Sequence, residues 1–327
     1  MANFLQFLNE CWPPRPKLTE KELGDQAGKI FIVTGTTAGV GKELTSILYS
    51  KNGKIYTAAR SSDRAQKVNS EITRRYPESK GELVFLKLDL EDLNSVKAAA
   101  EEFLSKESQL DVLWNNAAVM LPAPGSTTKQ GWDMQLGVNC LAPFLFTRLL
   151  TPMLKATAAI SPTGSVRVVF VASSATYLFS PKRGIELAKI SDKSRQNPPL
   201  YMYSVTKAGN ALHAMQFAKM YKKDGVVAVS GNPGNLNSDL PRNMSWWERL
   251  LMRPLQYAPI YGAYTELYGG LSPDISINET GAWLMPWGRI GRLRHDLELA
   301  AKSKEEGGTG IAEDFWVWSE EQVREYL

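Results

Sequence analysis

The chain reads as a doubly wound α/β protein, a parallel sheet with helices on both faces. Three observations carry that reading. Apolar runs of strand length alternate with segments of helical period from Lys29 onward. The first run, Lys29 to Thr34, leads directly into a glycine-rich turn and then a helix. Late in the chain, Tyr203 and Lys207 stand four residues apart in a long helical stretch. Regular β–α–β–α order implies parallel strands joined by right-handed crossovers. Ligands of such sheets bind beyond the carboxyl ends of the strands.

Composition narrows the field. The 327 residues suffice for one large α/β domain or two small ones, and 43% are apolar or aromatic, enough for a sizeable core. The net charge of +4 is mild and has no dense basic tract, so nothing argues for nucleic acid. Cys11 and Cys140 are far apart, in no CxxC pair, which argues against a disulfide framework and against zinc. A reducing, cytoplasmic setting fits this usage. Residues 1–28 read as a leader, and 29–327 as a single domain. Within the leader, Phe4, Leu5, Phe7 and Leu8 suggest a short amphipathic helix packing on the domain, rather than a signal peptide or a membrane-surface anchor. The apolar stretch from Leu141 to Ile160 contains Arg148 and Lys155, too interrupted for a spanning helix.

Taken in order, Lys29 to Thr34 has the continuous apolar character of a buried parallel strand. Gly35, Thr37, Ala38, Gly39, Val40 and Gly41 form the turn after it, spaced Gly-x-x-x-Gly-x-Gly. Lys42 to Ser50 is helical, with Leu44, Ile47 and Leu48 on one face. In this context the glycines let the backbone approach a ligand, and the helix start offers free N–H groups to a pyrophosphate. Lys54 to Ala59 is a second strand. Where NAD-binding sheets usually place an acid for the ribose 2′-OH, this chain has Arg60-Ser61-Ser62. A guanidinium and two hydroxyls would bind a 2′-phosphate, so the cofactor expected is NADP(H).

The alternation continues. Asp63 to Arg75 is a helix; Leu83 to Leu88 is a strand closed by Asp89 and Leu90; Asn94 to Ser105 is a helix; Leu110 to Asn115 is a strand followed by Asn116 and Ala117. Trp132 to Leu154 reads as one long helix bearing Asn139, with Pro143 marking a kink or break. Ser165 to Ala172 is a strand that ends in Ser173-Ser174. A polar connection leads to the helix Leu200 to Lys223, and Val226 to Ser230 is the sixth strand, before Pro233-Gly234. Ala282 to Pro286 is a last strand, and two short helices close the chain.

Tyr203 and Lys207, at i and i+4, share one helix face. An ammonium beside a phenol lowers its pKa toward neutrality, which suits proton exchange with an alcohol or carbonyl oxygen. Spacing alone is weak: Tyr76 and Lys80 share it, but Pro77 puts Tyr76 in a loop.

The ordered set Thr34-Gly35-xxx-Gly39-x-Gly41, Asp89-Leu90, Asn115-Asn116-Ala117-Ala118, Asn139, Ser173-Ser174, Tyr203-xxx-Lys207 and Pro233-Gly234 resembles the short-chain dehydrogenase/reductase family. The resemblance runs from about Gly28 to Phe315. The chain's ends are similar to fungal retinol-dehydrogenase-like members. The resemblance implies a Rossmann-type sheet of about seven strands in the order 3-2-1-4-5-6-7. It implies Tyr203 as general acid or base and Lys207 on the nicotinamide ribose hydroxyls. Ser174, taken as the catalytic member of its pair, would bond the substrate oxygen, and Asn139 would hold a relay water. Leu236 and Ser238 would lie along the nicotinamide half, with Ser238 replacing a threonine at the carboxamide. It implies no metal, structural roles for His213 and His295, and a homodimer or homotetramer. Ala118 departs from the family's glycine, which is tolerable if its φ stays negative.

The region of about 236–290 is expected to bind substrate. Its aromatics suggest a bulky apolar or aromatic ketone or alcohol, within fungal secondary metabolism. Trp246 and Trp247 are the better pocket candidates, whereas Tyr261, Tyr264 and Tyr268, at spacings of three and four, fit ordinary helix packing. Other readings of the same residues are a double-bond reductase, an epimerase, a cyclase, or a non-catalytic NADP sensor.

Overall fold

Eight strands form one sheet in the order β3-β2-β1-β4-β5-β6-β7-β8. They are β1 (Ile30–Thr34), β2 (Lys54–Ala59), β3 (Glu82–Lys87), β4 (Val112–Asn115), β5 (Arg167–Val171), β6 (Val227–Gly231), β7 (Trp283–Met285) and β8 (Arg289–Gly291). Every neighbouring pair is parallel except β7–β8, an antiparallel hairpin at the edge. The computed structural model describes residues 2–193, 195–237 and 256–327. Ser238, Trp246 and Trp247 lie outside the described residues.

The seven-strand order holds, with β8 added at the edge. The helices are α1 (Ala2–Cys11), α2 (Gly39–Ser50), α3 (Ser62–Arg75), α4 (Leu93–Lys106), α5 (Ala142–Ile160), α6 (Pro199–Tyr221), α7 (Pro259–Leu271), α8 (His295–Ala301) and α9 (Ile311–Val323). Strand alternation sends side chains to two cores. Phe31, Val33, Val112 and Trp114 pack on one face with Leu44 of α2 and Leu267 of α7. Ile32, Leu113 and Val168 pack on the other with Phe103 of α4, Phe146 of α5 and Phe217 of α6. Fully burying side chains of this size contributes about 1.5–3 kcal/mol each. Burial on both faces is why these strands read as unbroken apolar runs.

The long helix expected from Trp132 is continuous from Met134 to Ile160, with a π-helical segment inside it. A single turn (Met134–Leu136), capped by the Asp133 carboxylate, leads into a π-helical segment (Gly137–Leu141), and α5 starts at Ala142. Pro143 follows the π-helical segment and withdraws one N–H from the carbonyls of that segment. Residues 134–160 are apolar enough to cross a membrane by length and composition, yet most of that stretch is buried inside the protein. The leader is part of the packing: α1 lies on the domain with Glu10 and Cys11 buried.

Candidate active site

The carboxyl ends of β1 and β4 are laced together by one threonine. The Thr34 hydroxyl donates to the Trp114 carbonyl at 3.2 Å and accepts from the amides of Asn116 at 3.0 Å and Ala117 at 2.9 Å. The Asn116 amide donates to the Thr34 carbonyl at 2.6 Å. This places the glycine turn against the β4 end with no room to spare. A Cβ on Gly41 would stand 2.5 Å from the Gly35 carbonyl oxygen and 2.6 Å from Asn116 Nδ2. Gly35 and Gly39 have φ of +76° and +58°, a region that favours glycine. Ala38 is the extended residue before α2 and offers no side-chain cap. The first amides of a twelve-residue helix therefore face the turn formed by Gly35, Thr37, Ala38, Gly39 and Val40. That donor set fits a pyrophosphate.

Arg60 stands at the β2 end, mostly exposed, and its guanidinium is ion-paired with Glu91. Ser61 caps α3 by accepting from the Arg64 amide. A cation, two hydroxyls and a helix N-terminus meet here, a setting that suits a phosphate once Arg60 leaves Glu91. Asp89 and Leu90 follow β3 one strand away, and Asp89 accepts from the Glu91 amide at 3.1 Å.

Asn139 lies in the π-helical segment. Its Oδ1 accepts from the Val119 amide at 2.8 Å, and its Nδ2 donates to the Val119 carbonyl at 2.9 Å and to Thr206 Oγ1 at 3.1 Å. It ties the segment after β4 to α6 beside Lys207. A π-turn at a functional position is a common device, and helical periodicity gave no sign of it. The Asn139 side chain is thus tied to Val119 and Thr206 beside Lys207. Ala118 is absent from the positive-φ residues, so the departure from glycine carries no backbone strain.

The two serines are not equivalent around Tyr203. The side chain of Ser173, not that of Ser174, is the one near enough to Tyr203 to favour its phenolate. Ser174 instead opens the helical turn Ala175–Leu178, its carbonyl accepting from the Tyr177 and Leu178 amides. Burial pushes the Tyr203 phenol up to about 12, opposed by the Ser173 side chain. Lys207 is not among the causes. Its Nζ donates to the Val171 carbonyl at 2.8 Å, and lies 5.8 Å from the Tyr203 ring centroid. The expected lowering of the phenol is overturned, because burial, not Lys207, sets the direction of its shift. Burial also holds Lys207 down at about 8, and Cys140 and Glu266 oppose that shift.

After β6 the chain runs through Asn232, Pro233 and Gly234 to Leu236, which pairs with Tyr257 in an isolated bridge. Leu236 packs beside Gly262 of α7, as does Val40 of the glycine turn. Sequence reasoning missed Glu266. It is fully buried on α7, neither carboxylate oxygen has a hydrogen-bond partner, and burial raises it to about 8. It lines a cavity of ≈ 10 Å³, room for about one water, with Val171 and Pro233.

A larger cavity of ≈ 380 Å³ opens between residues 122–135 and 189–202. Met202, the neighbour of Tyr203, is on its wall. The tyrosines of α7 pack as structural groups: Tyr268 donates to Asp274, Tyr264 to Glu20, and Tyr261 lies against Trp287. His213 is buried between Phe144 and Phe315 and held down at about 3, whereas His295 is exposed on the surface. Among the described residues no group of His, Cys, Asp and Glu is placed to hold a metal.

The short chain dehydrogenase family model matches residues 29–184. A short-chain dehydrogenase/reductase of Phomopsis amygdali is 45% identical over 97% of this chain and 96% of its own length. Another, from Neocamarosporium betae, is 45% identical over 97% of this chain and 93% of its own. Among solved structures, NADPH-bound carbonyl reductase from chicken fatty liver shares the fold with a TM-score of 0.60. It is 21% identical and covers 82% of this chain and 99% of its own. With full-length relatives at this identity and the sheet order observed, the chain belongs to the short-chain dehydrogenase/reductase family of oxidoreductases.

Proposed function

We propose that the chain is an NADP(H)-dependent reductase of a ketone, or dehydrogenase of the matching secondary alcohol, on a bulky apolar or aromatic metabolite. The observation that carries this is the convergence of Ser173, Tyr203 and Lys207 at the end of β5. The bound cofactor supplies or accepts the hydride. Tyr203, protonated at neutral pH, donates its proton to the ketone oxygen in reduction and takes it back in oxidation. Ser173, rather than Ser174, bonds the same oxygen and stabilises the charge developing there. Lys207, whose Nζ donates to the Val171 carbonyl, would hold the nicotinamide ribose hydroxyls of the bound cofactor. Asn139 would hold the relay water.

Arg60, Ser61 and Ser62 would hold the 2′-phosphate, and the glycine turn the pyrophosphate. Asp89, Leu90, Asn116 and Ala117 would line the adenosine side, and Pro233, Gly234, Leu236 and Ser238 the nicotinamide side. The ≈ 380 Å³ cavity beside Met202 has the size for a bulky substrate. The similarity to fungal relatives supports a role in secondary metabolism, and two free buried cysteines fit a cytoplasmic location. The test is NADPH consumption across a panel of aromatic ketones and small sugars, with Tyr203→Phe as the inactive control. Turnover of aromatic ketones by the wild type alone supports the reading. A preference for small hydrophilic sugars would overturn the substrate class.

A further inference from the structure

The first helix of the chain sends one carboxylate into the space between the two loops that flank the reaction. Glu10 is 2% exposed. Its Oε2 accepts from the Tyr177 hydroxyl at 2.9 Å and from Asn232 Nδ2 at 2.6 Å, and its Oε1 accepts from Gln6 at 2.9 Å. Tyr177 belongs to the helical turn Ala175–Leu178, which follows Ser173 and Ser174 directly. Asn232 immediately precedes Pro233 and Gly234, and its own Oδ1 accepts from the Gly234 amide at 3.1 Å. One oxygen atom is therefore the shared vertex of the hydroxyl-bearing turn and the nicotinamide-side loop.

The rest of α1 reinforces the same junction. The Cys11 carbonyl accepts from the Tyr257 hydroxyl at 3.0 Å, and its sulfur accepts from Asn235 at 3.4 Å. Arg289 of β8 donates to Asn9 Oδ1 at 2.6 Å, and Gln6 donates to the Arg292 carbonyl at 3.1 Å. A buried carboxylate is a costly way to hold a helix on a surface, since desolvation opposes its charge. An apolar side chain would fix α1 at lower cost. What the carboxylate adds is direction, because two of its three donors, Tyr177 and Asn232, lie on the segments after β5 and β6 that flank the proposed site.

We propose that α1 is a working wall of the active site and that Glu10 is a positioning residue setting the nicotinamide-side loop, Asn232 to Gly234, against the turn that follows Ser173 and Ser174. The idea rests on the reading of that loop as the nicotinamide side. Hydride transfer depends steeply on this spacing, and a displacement of about 1 Å can cost on the order of 10²-fold in rate.

The test uses the full chain as wild type, Glu10→Ala, Glu10→Gln and Tyr177→Phe. Amide hydrogen exchange is measured first without nucleotide. Glu10→Ala is expected to speed exchange of both 231–236 and 175–180, leaving 30–59 unchanged. Glu10→Gln, whose amide oxygen can still accept both bonds, should restore most of the protection. Tyr177→Phe should loosen 175–180 alone. Affinity is then measured for NADPH and for 2′,5′-ADP, the adenosine half by itself. In Glu10→Ala, NADPH should weaken about tenfold while 2′,5′-ADP is unchanged. Unaltered exchange in both loops of a folded Glu10→Ala protein would overturn the proposal, as would equal weakening of both ligands. If wild type bound neither ligand, the NADP reading would fall, and the exchange result would still decide the role of Glu10.

Discussion

The side chain of Ser173, just beyond β5, acts on the phenol of Tyr203 in the second turn of α6 and favours its ionised form. This distinguishes two adjacent serines that look alike in sequence. Ser173→Ala is expected to lower kcat about 10²-fold or more, the usual cost of an oxyanion donor. Ser174→Ala should stay within a few-fold of wild type. Steady-state ketone reduction by the two variants checks this, and the reverse ranking would restore Ser174 as the substrate-facing hydroxyl.

Asn139 should matter for stability as well as rate. Asn139→Ala leaves the Val119 amide and carbonyl without their side-chain partner and should cost about 1–3 kcal/mol. Urea unfolding reads this directly. A midpoint unchanged from wild type would show that the π-turn does not depend on this residue.

Gly41→Ala should fail at the cofactor turn. The added Cβ would meet the Gly35 carbonyl at 2.5 Å, backbone that cannot easily yield. Overpacking of this kind costs about 1–3 kcal/mol. NADPH affinity should fall by more than about tenfold in a protein whose circular dichroism is unchanged. Wild-type affinity would mean the turn opens more than its packing implies.

Glu266 makes stability depend on pH with a definite sign. Its carboxyl is raised from 4.5 to about 8 in the folded protein. Between those values the folded state keeps a proton that the unfolded state has released, so stability falls as pH rises from about 4.5 through about 8. Glu266→Gln removes that term and should raise Tm more at pH 8 than at pH 5. Because Glu266 raises the Lys207 pKa, the same variant should move any Lys207-dependent limb of NADPH binding to lower pH. Thermal melts and binding titrations across pH 5–9 measure both, and a pH-independent difference in Tm would contradict the assignment.

Much of the architecture was legible because its signals are local. β1, β2, β4, β5 and β6 are buried on both faces and announce themselves as apolar runs. The glycine turn is legible because φ and close approach demand glycine at fixed places. β8 was missed because Arg289, Ile290 and Gly291 form a three-residue edge strand with no buried face. The π-turn was missed because five residues of π-helix keep the apolar pattern of an α-helix. The two serines lie beyond Val171, where the strand has ended and alternation no longer says which hydroxyl faces α6. Glu10 meets Tyr177 and Asn232 across 167 and 222 residues, and no periodicity reports such contacts. For Lys207 the chemistry of the pair was legible, but the depth of burial that dominates both groups was not.

The central claim is that this oxidoreductase takes NADP(H) through Arg60. Fluorescence titration of wild type and Arg60→Asp with NADPH and NADH tests it most directly. The account predicts that wild type binds NADPH at least about tenfold more tightly than NADH, and that Arg60→Asp loses NADPH affinity while its NADH affinity holds or improves. Equal affinity of wild type for the two nucleotides, or an Arg60→Asp variant that binds NADPH as well as wild type, would contradict it.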